Sequence, residues 1–280
     1  MTKKSLEQVL KHFTFQDKDK ALRKIEKTIS DGKNNLHLLV DFDRTLTIGK
    51  DKDNRDFTSW NALTKLLPEE ALAKQQALYK KYRPIEASGK MTNKQGEDWA
   101  RQVLKIFVEN EINLLKLEED FANNNSIRSH TKAVFEACEA LEIPIVILSA
   151  GIKQTIDIWS KNYFVYPTLT IATNLIVDKK GKIIGWDKDI IHVANKREKG
   201  HKNFSEIKNK RPNVILIGDA IEDADMADGD ENILRIRINN PREDEALDQA
   251  AFANQTFEKF DLMINNGTLE PVLKILEHIK

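Results

Sequence analysis

The chain has 280 residues, enough for one large domain, or a core plus a smaller unit, with a well-buried interior. Lysine plus arginine and aspartate plus glutamate each total 44, so the formal net charge is +0 and no overall field exists to hold a nucleic-acid polymer or an anionic membrane. No apolar run is long enough to cross a bilayer, and the single cysteine, Cys138, excludes an internal disulfide.

The opening MTKKSLEQVLKHF has lysines but no apolar signal core or small-residue cleavage site, which, with the lone cysteine, predicts a cytoplasmic protein. From Ser5 to Ser30 apolar and charged positions alternate at helical spacing, and Asp31-Gly32 supplies a stop, so one helix is expected against the sheet. Leu38, Leu39 and Val40 form the continuous apolar run of a central parallel strand, which ends abruptly at Asp41 and Asp43. Lys50 to Asn54 reads as a polar loop. Phe57 to about Phe121 reads as amphipathic helices broken at Pro68, Pro84 and Gly89, with no strand among them. Asn123-Asn124-Asn125 marks a loop before a helix from about Ser129 to Leu141, in which Cys138 is a packed residue. The domain organisation expected is therefore a core of residues 1–48 and 129–280, with a helical cap of residues 49–128 inserted after the first core strand.

Pro144 to Ser149 is a second buried strand, followed by Ala150-Gly151 and a helix to about Asn162. Leu169 to Val177 reads as a third strand, and Asp178 to Gly185 holds a hairpin turn. Asn213 to Asp219 is a fourth strand, Ile233 to Ile238 and Phe260 to Ile264 are further strands, and a helix from Thr268 to Ile279 closes the chain. Strands alternating with helices predict an α/β fold with a Rossmann-like parallel sheet and right-handed crossovers.

In such a sheet the ligand crevice lies beyond the carboxyl ends of the strands. Three strands end there in chemistry: Asp41 with Asp43, then Ser149, then Asp219 with Asp223 four residues later. Adjacent carboxylates are costly unless a cation or a shared proton relieves them, and a divalent metal is the simplest remedy. Lys196, after Ile190 to Ala194, completes a cation-balanced anion site. His192 has no second histidine or cysteine at zinc spacing and reads as a core residue. Asp228 and Asp230, in a glycine-containing turn, read as structural.

The segment DFDRTLT resembles the first motif of the haloacid dehalogenase-like (HAD) phosphatases, SAG their second, Lys196 their third and GDAIED their fourth. In IPIVILSAGI, IIHVANK and NVILIGDAIEDADMADG the chain is similar to the cytosolic pyrimidine 5'-nucleotidases of the nucleotidase III group. The resemblance covers most of the core from Leu36 onward and thins in the cap to Tyr82-Arg83-Pro84-Ile85-Glu86 and the region of Trp99. It implies Asp41 as nucleophile, Asp43 as general acid and base, Lys196 as charge-stabilising base, and Ser149, Ala150 and Gly151 around the phosphate. It also implies Mg²⁺ held by Asp41, the Asp43 carbonyl and Asp219, with Asp223 orienting the metal's waters or Lys196. In the cap it places Glu86 on the base of the substrate, while Val103 stands where a serine is expected. Trp60, Tyr79, Tyr82 and Trp99 are the candidates for stacking on that base.

The activity implied is Mg²⁺-dependent hydrolysis of a phosphate monoester, a nucleoside 5'-monophosphate, through a phosphoaspartyl intermediate. The alternatives are a phosphoamino acid or sugar phosphate as substrate, or a catalytically silent phosphate- or metal-binding protein. Asp43 must be protonated to assist a leaving alkoxide, so its neighbours are expected to raise its pKa.

Overall fold

Strands that are buried on both faces need apolar residues at every position, and Leu36–Val40 (β2), with the sequence LHLLV, meets that demand. The computed structural model describes residues 13–49, 57–118, 126–197, 201–229, 232–240, 258–265 and 267–280. Among these, β2 lies in a seven-stranded sheet of order β1-β9-β8-β7-β2-β3-β4, formed by Phe13–Phe15 (β1), Ile145–Ile152 (β3), Leu169–Thr173 (β4), Asn213–Gly218 (β7), Asn232–Ile238 (β8) and Leu262–Ile264 (β9). All neighbouring pairs are parallel except β1 with β9. Alternate residues feed two cores. Leu38, Val40, Ile145, Ile147, Ile215 and Ile217 join the larger one, while Leu39, Val146, Leu148, Val214 and Leu216 join the smaller one on the opposite face.

Two sequence expectations fail at the edges of the sheet. The segment expected as one helix from Ser5 to Ser30 contains the edge strand β1 and then a helix at Lys18–Asp31 (α1), with the Asp17 side chain accepting from the Lys20 amide as N-cap. Pairing with β9 outweighs the local helical pattern at Phe13–Phe15; the expected first turns, residues 5–12, lie outside the described residues. The run Leu169 to Val177 is two strands. At Asn174 the chain leaves the large sheet, and Leu175–Val177 (β5) pairs instead with Ile183–Trp186 (β6) as a separate hairpin. Its turn carries Gly181 at φ 82, with the Asp178 carboxylate accepting from the amides of Lys180 and Lys182.

Between β2 and β3 the described chain is helical: Ser59–Thr64 (α2), Glu69–Ala87 (α3) and Asn93–Glu109 (α4), before Thr131–Ala140 (α5). Pro84 does not end a helix as expected; it sits inside α3, which runs on to Ala87. The hairpin packs against this helical block, where Leu114 N–H donates to Gly181 O and Ile183 N–H to Ile112 O, both at 2.9 Å. The expected polar loop at Lys50 to Asn54, the loop at Asn123 to Asn125, Phe121 and Asp230 lie outside the described residues. Cys138 is buried on α5, where desolvation pushes its thiol up to about 12.

Lys153–Tyr163 (α6), Lys202–Lys210 (α7) and Glu270–Leu276 (α8) complete the helices that matter here. The only polar side chain of β2, His37, is fully buried; its Nδ1 lies 2.8 Å from the Arg211 carbonyl and its ring meets Phe204 edge-on. Burial lowers its pKa from 6.5 to about 4. The unfolded chain then binds more protons than the native one between these values. Stability is full above pH 6.5 and is lost as pH falls toward 4, by up to roughly 3 kcal/mol. Urea midpoints measured across that range are expected to fall for the wild type, and to fall less steeply for His37→Gln.

Candidate active site

Register brings the chemistry to one edge. Val40 pairs with Ile147 of β3 and with Ile217 of β7, so the residues just beyond these partners, Asp41, Ser149 and Asp219, emerge together at the carboxyl end of the sheet. The Asp41 N–H donates to the Ile217 carbonyl at 2.9 Å, which holds the nucleophile candidate against β7. Asp223 follows on the single helical turn Ile221–Asp225, where its Oδ2 accepts from the amides of Asp219 and Ala220, both at 2.9 Å. Lys196 reaches in from the loop before α7. Its Nζ donates to Asp41 Oδ1 and, at 2.7 Å, to Asp223 Oδ1.

Asp41, Asp219, Asp223 and Lys196 are all buried, and ligand atoms of the three aspartates lie within 4.8 Å of one another. Three carboxylates against one ammonium leave the cluster short of positive charge. Burial raises the pKa of Asp41 well above the usual carboxylate range; Lys196 opposes this, and Asp223 and Asp219 add to it. For Lys196, burial acts downward, but Asp223 and Asp41 outweigh it and hold the ammonium protonated. An all-oxygen donor set with a charge deficit fits a hard dication such as Mg²⁺. Asp41, Asp219 and Asp223 each offer a carboxylate oxygen to such an ion, and Asp223 is also held by Lys196 and two amides.

Asp43 lines the same cleft as this cluster and is held by a residue that the sequence did not single out. Ser59, the first residue of α2, donates its N–H to Asp43 Oδ1 and its hydroxyl to Asp43 Oδ2, both at 2.7 Å. That amide is one of the donors a helix start leaves unused, and Thr58 caps the same end. Asp43 is raised to about 6, as expected, but the cause differs. Burial does it, while the Ser59 bonds and the Arg44 charge pull the other way. Ser59 Oγ also accepts from Ile152 N at 3.3 Å. A Cβ on Gly151 would stand 2.1 Å from that oxygen, which explains the glycine.

The Ser149–Gly151 segment differs from expectation. β3 continues through Ile152 and α6 starts only at Lys153, so these residues end a strand and do not open a helix. Gly151 N–H donates to Ser149 Oγ at 3.0 Å, and the Ala150 carbonyl accepts from Trp60 Nε1 at 2.9 Å.

Asp41, Asp43, Ser149, Ala150, Lys196, Asp219 and Asp223 all line one cleft of about 220 Å³, with Glu86 and Trp99 in its helical wall. Arg83 fixes the Glu86 carboxylate at 2.7 Å. Trp99 has Tyr82 stacked on it at 5.7 Å and 13°, with Tyr79 tilted beside it at 6.3 Å. Trp60 and Val103 also line the cleft. Two further residues of the wall were not read from sequence as site residues. Glu222 is raised to about 7 by burial, with the charges of Asp223 and Glu86 adding to it. His192 is buried with its Nδ1 unpartnered, and a Cβ on Gly96 of α4 would come within 2.5 Å of that atom. Neither belongs to a spacing that sequence alone distinguishes from a surface glutamate or a core histidine.

No helix among the described residues is long and apolar enough to cross a membrane. In overall architecture the chain is similar to cytosolic 5'-nucleotidase IIIB bound to cytidine, with a TM-score of 0.85 and 21% identity over 99% of this chain and 96% of the other. A substrate-bound phosphoserine phosphatase shares the fold more distantly, with a TM-score of 0.57 and 17% identity over 89% of this chain and 99% of the other. In sequence the chain is 28% identical to the human 7-methylguanosine phosphate-specific 5'-nucleotidase, over 89% of this chain and 86% of that one. Residues 44–280 match the pyrimidine 5'-nucleotidase (UMPH-1) family, from just after the Asp41/Asp43 pair to the last residue. The chain therefore belongs to that family and is a 5'-nucleotidase-type phosphatase on the HAD fold.

Proposed function

We propose that the chain hydrolyses a nucleoside 5'-monophosphate whose base is cationic or electron-poor, with 7-methylguanosine monophosphate the best fit. The observation that carries this is that one cleft is lined by the buried Asp41–Lys196–Asp219–Asp223 cluster and also by Trp99, Tyr79 and the carboxylates of Glu86 and Glu222. Aromatic faces attract a positive ring, and a carboxylate accepts from its N–H groups. The indole Nε1 of Trp99 is buried and unpartnered, a donor that a bound base can use.

Asp41 attacks phosphorus, and its carboxylate bond to phosphorus replaces the bond to the leaving 5'-oxygen. Asp43 gives that oxygen its proton and then, ionised, takes one from the water that opens the aspartyl phosphate. Lys196 holds Asp41 in place and offsets charge on the transferred group, and the Ser149 hydroxyl and nearby amides bind phosphate oxygens. Asp41, the Asp43 carbonyl and Asp219 would hold Mg²⁺, which would supply the positive charge that lets an anion approach an anion. The helical block, with the hairpin packed on it, serves as the cap that carries base selection. The reaction fits a small phosphorylated metabolite in the cytoplasm.

The experiment is a panel of nucleoside monophosphates and sugar phosphates with Mg²⁺. 7-Methylguanosine monophosphate is expected to be turned over faster than guanosine monophosphate. Trp99→Ala should reduce that preference about thirtyfold, the size of a desolvated cation–π contact. Equal turnover of the two would remove the cationic-base reading, and equal turnover of a sugar phosphate would remove the nucleotide reading. Chelation should stop hydrolysis, and added Mg²⁺ should restore it.

A further inference from the structure

Arg128 lies just before α5, outside the lining of the cleft and 3% exposed. A buried arginine ordinarily finds a carboxylate. Among the described residues the guanidinium hydrogen-bonds none; Asp219 acts on it through space. Nε donates to Thr45 O at 2.5 Å, Nη1 to Gly267 O at 3.0 Å, and Nη2 to Arg44 O at 2.5 Å, Thr47 O at 3.1 Å and Asn240 Oδ1 at 3.0 Å. The Arg128 amide adds the Leu46 carbonyl at 2.9 Å. The carbonyls of four consecutive residues, 44–47, thus converge on one side chain and its own amide.

Those four residues are the turn that leaves Asp43. Arg44 sits at φ 64, a left-handed conformation unfavourable for a residue with a side chain, and its carbonyl is held by both Arg128 and, at 2.6 Å, Asn240 Nδ2. Its N–H donates to Thr47 Oγ1 at 2.8 Å. That N–H and the Asp43 carbonyl belong to one planar trans peptide, so fixing the N–H fixes the carbonyl on the opposite side. Ser59 grips the Asp43 carboxylate from the cap side, and Arg128 grips the backbone behind it.

We propose that Arg128 is a positioning residue for hydrolysis: by gathering the carbonyls of Arg44, Thr45 and Thr47 it holds the turn from which Asp43 delivers its proton to the leaving oxygen. This rests on the reading of Asp41 as nucleophile and Asp43 as acid. A residue that only stabilised the fold would change the amount of folded protein and not the sensitivity of the rate to the leaving group.

The test uses the full chain as Arg128→Ala, Arg128→Lys and Asp41→Asn, with kcat and KM per folded molecule for a nucleoside monophosphate and for p-nitrophenyl phosphate. For both Arg128 variants, kcat on the nucleotide is expected to fall about tenfold to a hundredfold, with KM changed by no more than about twofold. The loss on p-nitrophenyl phosphate, whose leaving group needs no proton, should be several-fold smaller. Guanidinium ion added to Arg128→Ala should restore part of the rate. Lysine keeps the charge but not the planar fork, so Arg128→Lys carries the same comparison if Arg128→Ala does not fold. Equal losses on both substrates, an unchanged kcat, a rise in KM alone, or failure of both variants to fold would each overturn the inference. If Asp41→Asn is inactive while the Arg128 variants match the wild type, only this inference falls. Turnover by Asp41→Asn removes the reading beneath it.

Discussion

Asp41→Asn is expected to reduce turnover by roughly 10⁴-fold or more, the scale seen when a nucleophile is removed from a site that otherwise stays assembled. An amide does not attack phosphorus, and the neighbouring Asp223 carboxylate is already held by Lys196 and two amides. The fold should survive the change. Asp41 is one of three carboxylates facing a single ammonium, and its burial already favours the uncharged form, so a neutral isostere relieves repulsion. Lys196 keeps its 2.7 Å partner in Asp223. Melting should therefore occur at or above the wild-type temperature, and inorganic phosphate should still bind by calorimetry. Retained turnover would remove Asp41 from the mechanism; lost phosphate binding would show that the substitution had disturbed more than the attacking atom.

Lys196→Met should cost both activity and stability. A carboxylate approaching a phosphate dianion meets about 4 kcal/mol per unit pair at 4 Å and an effective dielectric of 20, and Lys196 is the side-chain cation in direct contact with Asp41. Removing it leaves Asp41, Asp219 and Asp223 buried together without their ammonium. Breaking such a buried pair from one side costs about 3–5 kcal/mol. The loss should depend on pH. Carboxylates whose native pKa lies above the unfolded value bind more protons in the folded state, so the variant gains stability as pH falls toward the unfolded carboxylate range. Mg²⁺ binding only the native state should restore part of the loss at neutral pH. Urea unfolding at several pH values, with and without Mg²⁺, checks this; a variant as stable as the wild type at neutral pH without the metal would show that the cluster is not held by its charge balance.

The sheet was legible because its central strands leave no choice. LHLLV, PIVILS and NVILIG are apolar at nearly every position, and such runs are stable only when covered on both faces, with their polar ends at the crevice. That reasoning reaches Asp41, Asp43 and Asp219 just beyond strand ends, Ser149 in the last half of β3, and Asp223 on the helical turn that follows β7. Lys196 sits in a loop, and the resemblance to HAD phosphatases carried its part. Where pairing overrode local pattern the reading failed. Phe13–Phe15 had a helical pattern but found an edge beside β9, and Leu169 to Val177 had one apolar run but two sheets to join.

What the sequence determined by itself was the α/β order and which acids stand at strand ends, because both follow from patterns a few residues long. What only the tertiary structure decided was who holds those acids. Ser59 meets Asp43 across sixteen residues of chain, Arg128 meets Arg44 across eighty-four, and Glu222 feels the charge of Glu86 within the same cleft. Hydrogen bonds and desolvation act between neighbours in space, and no spacing along the chain encodes them.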